Sequence, residues 1–358
     1  MIPSLSIKVM ETFSEQHIYS VKRYYTTLML TRNGLSNKNI HNKLGVTLDN
    51  VTTWKNGRHI PIAVKTLQEF EQRYNRDYTF EELLAISYLV GYNLGDGNVS
   101  RNYCNSWFYG ICDDLEIMKE LFVSFHVKPV VYRYKINNGK MAVHDRVFSR
   151  FLYCFGAVSG DKTALRYQMP NWIVNSPEPL IKVRFLQGLF DSELCCLRSV
   201  RKNAYDKLSF YHSKRIDLVD EGTFFLNQVK ALLLEFGVRT SPVRKDRTYV
   251  RKRDGSKMQQ LFFYIYGNSV NLYKFLLRIG FLYNSKRRLR AEEALPSLKK
   301  RSSIEETNLL LYSRVVELRN TGMSAYAIAK ELQLTANKVK SWVYGNHKPR
   351  SYYFSSNS

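Results

Sequence analysis

Two acidic residues, Asp96 and Glu193, each come at the end of an apolar stretch that carries small residues four positions apart. The stretches read LVGYNLGDG over 89–97 and LQGLFDSEL over 186–194. Small residues at that interval share one helix face and let two helix backbones approach closely. We therefore expect two helices to pack through an interface formed by Gly91, Gly95, Gly188 and Ser192.

Packing of this kind would bring the carboxylates of Asp96 and Glu193 together at two helix C-termini. Neighbouring carboxylates repel each other, and the negative end of a helix dipole adds to the repulsion. A divalent cation relieves it, and oxygen ligands suit Mg²⁺ or Mn²⁺. A metal held there can activate water and stabilise the charge that develops on a phosphodiester. Alone, each acid would be ordinary, one in a turn and one at an exposed helix end, so the predicted metal site depends on the pair.

Both stretches resemble the nine-residue motif of the LAGLIDADG homing endonucleases, with an acid at the eighth position in each. The resemblance covers about residues 80–295 and includes the segment GDKTALRYQMPNWIV, which is similar to the family's linker. It departs from the family at the last motif position, which is Gly97 in the first stretch and Leu194 in the second. Asp191 has no acidic counterpart in the first stretch, so we expect it to form hydrogen bonds at the helix end.

The resemblance implies an α+β fold with a duplicated αββαββα core, whose two antiparallel β-saddles lie over the DNA major groove. An internal repeat fits this fold, because SRFLYCFGAVSGDK over 149–162 matches YKFLLRIGFLYNSK over 273–286. The repeat places Lys162 and Lys286 at equivalent positions. The family keeps basic residues around its active centres, which implies a catalytic role for both lysines. Contact with phosphates or exposure to solvent explains them equally well.

Basic residues alternate along two segments with the period of a β-strand. Alternation of this kind puts side chains on one face of a sheet, where they could contact phosphates and base edges. A solvated sheet face is the alternative. The candidate DNA-binding residues of these segments are Arg133 and Lys135 in the first half and Lys245, Arg247, Arg251 and Arg253 in the second.

The two ends of the chain carry a second repeat. Segments 30–61 and 318–349 align without a gap, with 11 of 32 positions identical. In the first copy, Ser36 and Thr47 are placed to cap two short helices joined at Gly45, which resembles a helix-turn-helix. Plain helical hairpins with solvated faces are the alternative. The outward residues expected to contact DNA are Asn50, Thr52, Thr53 and Lys55 in the first copy and Lys338 and Lys340 in the second.

The composition agrees with a nucleic-acid partner. The 358 residues include 54 Lys and Arg against 31 Asp and Glu, a formal net charge of +23. An excess of this size favours a polyanionic partner. No run of 18 apolar residues occurs, so no membrane-spanning helix is expected. Nucleic acid ranks first as the polyanion and an anionic membrane surface second, so we expect no membrane as the partner. The five cysteines form no C-x-x-C pair, which favours a reducing intracellular compartment, either cytoplasm or nucleoid, with an organelle also open.

The expected organisation has four parts: an N-terminal helix-turn-helix domain (1–79), two LAGLIDADG repeats (80–180 and 181–298) and a C-terminal helix-turn-helix domain (299–358). The leading hypothesis is a monomeric, metal-dependent endonuclease of the homing type that hydrolyses double-stranded DNA at specific sites. Two alternatives stay open. One is a non-catalytic DNA-binding transcriptional regulator with a LAGLIDADG-like core, and the other is an RNA-splicing maturase that binds intron RNA.

Overall fold

The computed structural model describes residues 5–134, 136–201, 204–345 and 348–349, so the predicted DNA-binding residue Lys135 lies outside the described residues. The fold is mixed α/β with antiparallel sheets. The chain forms two compact units. The first contains residues up to 162 together with 170–192, and the second contains 163–169 together with the chain from 193 onward. Among the described residues, no helix is both long and apolar enough to span a membrane.

The first unit begins with five helices. The middle three correspond to the first copy of the terminal repeat, and the predicted caps are confirmed. Ser36 Oγ accepts from the Asn39 amide, and Thr47 Oγ1 accepts from the Asn50 amide. Gly45 ends its helix with φ +60°, a conformation that favours glycine. The helices are α1 (Leu5–Met10), α2 (Glu15–Arg32), α3 (Asn37–Leu44), α4 (Leu48–Lys55) and α5 (Ile62–Tyr74).

The rest of the first unit is a four-stranded antiparallel sheet with helices. The strand order is β1-β2-β4-β3, and α7 packs on one face of the sheet. The elements are α6 (Phe80–Leu94), β1 (Gly97–Val99), β2 (Ser106–Ile111), α7 (Cys112–Met118), β3 (Val130–Arg133), β4 (Asn138–Val143), α8 (Arg146–Cys154), α9 (Asn171–Val174) and α10 (Pro179–Glu193).

The N-terminal helices pack directly on this core. Tyr74 of α5 stacks on Phe151 of α8 with ring centroids 4.2 Å apart. Arg73 forms an ion pair with Asp145 at 2.8 Å. Burial of aromatic rings is a large favourable contribution to folding. The segment 1–79, expected as a separate domain, is therefore part of the same compact unit as the first sheet.

The second unit has a three-stranded sheet of order β7-β9-β8 and a separate two-stranded pair, β5-β6. It does not repeat the four-stranded order of the first unit. In the first unit a strand begins at Gly97 itself, whereas Leu194 is fully buried and the next strand begins only at Ser199. The elements are β5 (Ser199–Arg201), β6 (Ala204–Tyr205), β7 (Leu208–Arg215), α11 (Val219–Glu235), β8 (Arg244–Val250), β9 (Lys257–Ile265), α12 (Ser269–Arg278), α13 (Ser285–Asn320), α14 (Ala325–Glu331) and α15 (Ala336–Val343).

The last three helices correspond to the second copy of the terminal repeat. With an offset of 288 residues, α15 has the same bounds as α4, and Ser324 and Thr335 cap α14 and α15 as Ser36 and Thr47 cap α3 and α4. Gln333 takes the left-handed conformation at the position equivalent to Gly45, with φ +52°. The boundary expected between residues 298 and 299 falls inside α13, a continuous helix of 36 residues.

Candidate functional site

Helices α6 and α10 cross at two glycines, with their backbones nearly in contact. A Cβ on Gly91 would lie 2.2 Å from the Phe185 carbonyl oxygen, and a Cβ on Gly188 would lie 2.1 Å from the Tyr88 carbonyl oxygen. Any side chain at either position would force the helices apart. Gly91 and Gly188, two of the four residues predicted for the interface, lie at the crossing. Of the other two predicted residues, Gly95 caps the end of α6 and Ser192 donates to the Leu189 carbonyl at 2.8 Å.

Polar contacts reinforce the crossing. The Ser87 hydroxyl donates to the Ile181 carbonyl at 2.7 Å. The Tyr88 hydroxyl donates to Asp191 Oδ2 at 2.7 Å, and both side chains are buried. Asp191 is therefore a hydrogen-bonding residue of the helix interface, as expected from its lack of an acidic counterpart in the first stretch.

Asp96 is exposed and lies between the cap of α6 and the start of β1. The chain turns sharply here, because a Cβ on Gly97 would lie 2.5 Å from the Asn93 Cα atom. The Asp96 carbonyl accepts from the Tyr109 amide at 3.1 Å, which ties the turn to β2. The pKa of the Tyr134 phenol is raised, mainly by partial desolvation of this exposed side chain and to a smaller extent by nearby groups that include Asp96.

Lys162 lies at the same end of α6. Its ammonium donates to the Asn93 carbonyl at 2.8 Å and also to the Gly95 carbonyl. A cation at a helix C-terminus is favourable, because the unpaired carbonyls there carry partial negative charge. The amide of Val158 donates to Asn93 Oδ1 at 2.7 Å and holds the loop before Lys162. An ammonium thus binds the carbonyls at the C-terminal end of α6, and the carboxylate of Asp96 follows the cap of the same helix.

Glu193, the last residue of α10, is half-buried. Burial raises the pKa of Tyr167, and the charge of Glu193 raises it further, so the two residues are neighbours in the second unit. The Tyr167 hydroxyl lies 3.3 Å from His212 Nε2. Lys214, fully buried, lies with Nζ 3.8 Å from the Tyr167 ring centroid and donates to the Leu165 carbonyl at 2.7 Å.

Sequence reasoning missed this cluster around Tyr167, which includes His212 and Lys214. Its signal is the alternation along β7, in which Leu208, Phe210, His212 and Lys214 point to the same side of the sheet as the buried residues of β9. A lysine in phase with buried residues indicates an enclosed ammonium rather than a solvated one.

Lys286 has different surroundings from Lys162. It is exposed in the first turn of α13, next to the cap formed by Asn284, whose side chain accepts from the Arg287 amide at 3.0 Å. Lys162 and Lys286 are therefore equivalent in the internal sequence repeat but have different structural surroundings. Among the residues that the structure describes, no group of three or more His, Cys, Asp or Glu side chains is arranged to hold a metal.

The register of the first sheet corrects the expected basic face. Arg133 pairs with Gly139 and lies on the side covered by α7, where its guanidinium bonds to Asp113 at 3.2 Å. The opposite face carries Lys140, with Nζ 5.9 Å from the Trp107 ring and 5.7 Å from the Tyr132 ring. Both strand faces contain partly exposed residues, because β3 is an edge strand, so alternation alone did not identify the open face.

A β-bulge corrects the face of the second sheet. Lys245 pairs with Leu261, but Thr248 pairs with Gln259, so one extra residue lies in β8 between them. Lys245 therefore shares a side with the buried residues of β9. Arg247 lies on the other side, where its Nε donates to Gln260 Oε1 at 3.1 Å. This open face, here called the second sheet face, contains Tyr211, Arg244, Arg247, Tyr249, Gln260, Phe262 and Tyr264.

Arg251 and Arg253 lie beyond β8, in the hairpin that leads to β9, so the predicted single basic row is wrong at these positions. Arg251 donates to Asp254 Oδ1 at 2.9 Å and to the Thr163 hydroxyl at 2.8 Å. Its guanidinium holds the pKa of the Asp254 carboxyl well below the usual range. Arg253 is exposed in the turn.

The two copies of the terminal repeat, here called the N-terminal module (30–61) and the C-terminal module (318–349), differ in how far their predicted DNA-contact residues are exposed. On α4, Thr52 and Lys55 are exposed, and Asn50 and Thr53 are half-buried. On α15, Lys338 turns back toward α13, where it donates to Asn308 Oδ1 at 2.7 Å. Lys340 is half-buried and donates to the hydroxyl of Tyr326 at 2.9 Å.

No protein-family model matches the chain. Among curated proteins, 258 residues are 30% identical to the DNA-directed RNA polymerase subunit Rpo1N of Methanocaldococcus jannaschii, covering 64% of this chain and 18% of that protein. A second match is the tRNA-splicing ligase RtcB of Pyrococcus furiosus, 23% identical over 287 residues, with 74% and 28% covered. The chain thus spans less than a third of the length of these relatives.

Similar solved structures include LAGLIDADG proteins at low structural similarity. The homing endonuclease I-DmoI in complex with DNA and Ca is 12% identical over 56% of this chain and 90% of that chain, with a TM-score of 0.33. The N-terminal LAGLIDADG domain of DUF199/WhiA is 14% identical over 61% of this chain and 92% of that chain, with a TM-score of 0.36.

Proposed function

We propose that this protein is a site-specific endonuclease that hydrolyses double-stranded DNA with the help of Mg²⁺ or Mn²⁺. The observation that carries the proposal is the crossing of α6 and α10 at Gly91 and Gly188, where carbonyl oxygens occupy the space of a side chain. Glu193 ends α10, and Asp96 follows the cap of α6. Neither glycine position leaves room for a side chain, so the two helices are held at a fixed close distance. Such a fixed crossing is expected if the ends of these helices carry the reactive groups.

The residues present fit a hard divalent cation. The donors are carboxylate oxygens, and Asp96 is exposed. We propose Asp96 and Glu193 as the metal ligands. When bound, the metal would supply an activated water and stabilise negative charge on the phosphodiester. Lys162 fixes the last carbonyls of α6 and brings a positive charge to the turn that carries Asp96. We propose that it positions this carboxylate, with Lys286 in a lesser role at the exposed start of α13.

The DNA would be held by the open faces of the two sheets. Lys140, Arg244 and Arg247 lie on these faces together with aromatic rings. Phosphates would be contacted by the cations, while Gln260 could also form hydrogen bonds to base edges. The terminal modules would extend the contact as helix-turn-helix elements through α4 and α15. The high net positive charge supports a nucleic-acid partner. We further propose that the protein acts as a monomer of the homing type.

A regulator that binds DNA without cleaving it is the second candidate. Leu194 favours it, because this fully buried leucine stands where the first motif has the glycine of a sharp turn. The position of the second carboxylate could differ as a consequence. No observation on the described residues favours an RNA-splicing maturase, and tighter binding to structured intron RNA than to duplex DNA would indicate one.

The test is cleavage of a plasmid library of randomised inserts by the full chain with Mg²⁺ or Mn²⁺. Asp96→Asn and Glu193→Gln should each abolish cleavage and leave DNA binding within a few-fold of wild type. Glu81→Gln is the matched control, because Glu81 is exposed in the first turn at the opposite end of α6. Selective binding without cleavage under either metal would support the regulator and contradict the nuclease.

A further inference from the structure

Helix α13 joins two hydrophobic cores of the second unit. Its first part packs with α12, and its last part packs with α14 and α15. The Tyr312 and Trp342 rings are 5.8 Å apart, edge to face, in the second of these cores. The buried residues of α13 fall into two groups, with Ala291, Ala294, Leu298 and Ser302 in the first and Tyr312, Val315 and Leu318 in the second.

The stretch between the groups has no core of its own. In the described chain, residues 303–311 of α13 include none that is buried, and even Ile304 and Leu310 are 52% and 74% exposed. The stretch is nevertheless helical throughout. From Leu298 to Tyr312 the helix axis advances about 21 Å, at about 1.5 Å per residue. This distance matches about six base pairs at about 3.4 Å each.

The orientation of the C-terminal module relative to α13 is fixed by side-chain contacts. Lys338 of α15 donates to Asn308 of α13, and its Nζ lies 4.8 Å from the Trp342 ring centroid. The contact residue Lys340 is therefore fixed relative to the last turns of α13. The N-terminal module differs, because its helix α2 packs against α5, and α5 itself packs directly on α8.

We propose that α13 is a rigid spacer that sets the separation between two DNA segments, one bound by the second sheet face and one bound by the C-terminal module. The inference rests on the proposed DNA binding but not on cleavage. A rigid link makes the second contact effectively intramolecular only when the DNA spacing matches, and otherwise that contact is lost. The preferred partner is thus a duplex with two recognised segments at one fixed separation.

The test uses the full chain and a duplex recovered by selection from a random pool, with protected positions mapped by hydroxyl-radical footprinting. The DNA positions that lose protection in the Lys340→Ala variant mark the DNA segment bound by the C-terminal module. One to three base pairs are then inserted between that segment and the protection of the sheet. We expect the affinity of the wild-type protein to fall by about 10²-fold on insertion, because the linked contact is lost.

Two matched variants test the role of the helix. In one, residues 303–307 are all alanine, which preserves the helix, and in the other they are all glycine, which weakens it. The alanine variant should keep the dependence on spacing. The glycine variant should bind the original duplex more weakly than wild type does. Insertion of base pairs into the duplex should then lower its affinity less than fivefold.

Two results would overturn the proposed spacer role of α13 and leave the proposed function intact. One is an equal dependence of affinity on DNA spacing in the glycine and alanine variants. The other is wild-type affinity that does not change when base pairs are inserted. Wild-type protein that selects no duplex at all would overturn both.

Discussion

The carbonyl oxygen of Tyr88 lies 2.1 Å from the point that a Cβ on Gly188 would occupy. The reciprocal contact, between Gly91 and the Phe185 carbonyl, is 2.2 Å. Two helices that approach this closely leave no room for a methyl group, and both neighbours are main-chain atoms that cannot rotate away. The crossing therefore fixes the direction in which α6 and α10 leave the interface.

Gly188→Val should separate the helices and destabilise the protein. Overpacking of a core costs about 1–3 kcal/mol, and a clash with main chain lies at the upper end of that range. We expect the free energy of unfolding to fall by about 3 kcal/mol in urea denaturation. Leu180→Ala is the control, because Leu180 is exposed at the start of the same helix. A Gly188→Val protein as stable as this control would contradict the close crossing.

Lys162→Met should slow DNA cleavage and leave DNA affinity within a few-fold of wild type. The ammonium that bonds to the Asn93 and Gly95 carbonyls would be lost next to Asp96. Loss of one positioned donor at an active site costs about 10²-fold in rate, which single-turnover kinetics would measure. Lys162→Arg should recover part of the rate, and Lys286→Met should have a smaller effect. Equal losses in the two methionine variants would argue against a special role for Lys162.

The β-bulge in β8 predicts different roles for neighbouring cations. Arg244→Ala and Arg247→Ala should each weaken DNA binding by about tenfold, because each removes a contact to phosphate or base. Lys245→Ala should change the affinity less than threefold, since Lys245 points to the other side of the sheet. Fluorescence anisotropy with a selected duplex would measure all three. A larger loss of affinity in Lys245→Ala than in the two arginine variants would show that DNA binds the opposite side of the sheet, not the second sheet face.

The stability of the first unit should depend on pH through Glu82. Its carboxylate accepts from Arg76 at 2.5 Å and from the Thr79 amide at 2.9 Å. The Arg76 hydrogen bond is the main cause that lowers the pKa of Glu82 in the folded protein. Stability from this group is therefore complete above the unfolded carboxyl pKa of about 4.3 and is lost as pH falls through the lower folded value.

Glu82→Gln measures this contribution. The variant should be less stable than wild type at pH 7, and the difference should shrink as pH falls below about 4.3, where the unfolded carboxyl becomes protonated, and through the lower pKa of Glu82 in the folded protein. Glu81→Gln, an exposed neighbour, is the control. A stability difference that is constant from pH 3 to pH 7 would exclude the charged hydrogen bond as its source.

Binding to DNA should weaken steeply with salt, because each phosphate neutralised by a cation releases counterions. The logarithm of the association constant should fall linearly with the logarithm of salt concentration, and Arg247→Ala should reduce the slope by about one unit. Titrations at four salt concentrations would measure it. A flat dependence would contradict the electrostatic contribution.

The sequence predicted local features better than surfaces. The caps Ser36 and Thr47 and the glycine turn at Gly45 are confirmed, because each depends on a few adjacent residues. The contact of Gly91 with Gly188's helix was also predictable, since backbone approach requires small residues at fixed spacing. These features involve no information beyond residue type and helical period.

The open face of the second sheet was not predictable in the same way. The extra residue between Lys245 and Thr248 reverses the alternation, and no residue type marks it. The clustering of Lys214 under Tyr167 depends on a chain segment 45 residues or more away, which periodicity cannot place. Long-range pairing, rather than local preference, decided both outcomes.

Several cations of the candidate DNA surface already lie against aromatic rings. Lys140 lies near Trp107, Arg244 lies near Tyr264, and Lys340 lies near Tyr326. A side chain held in this way has fewer rotamers to lose when it meets an anion, so the entropic cost of association is smaller. Calorimetry of the ring-deleted proteins should therefore show a less favourable binding entropy, even though no ring itself bears a charge.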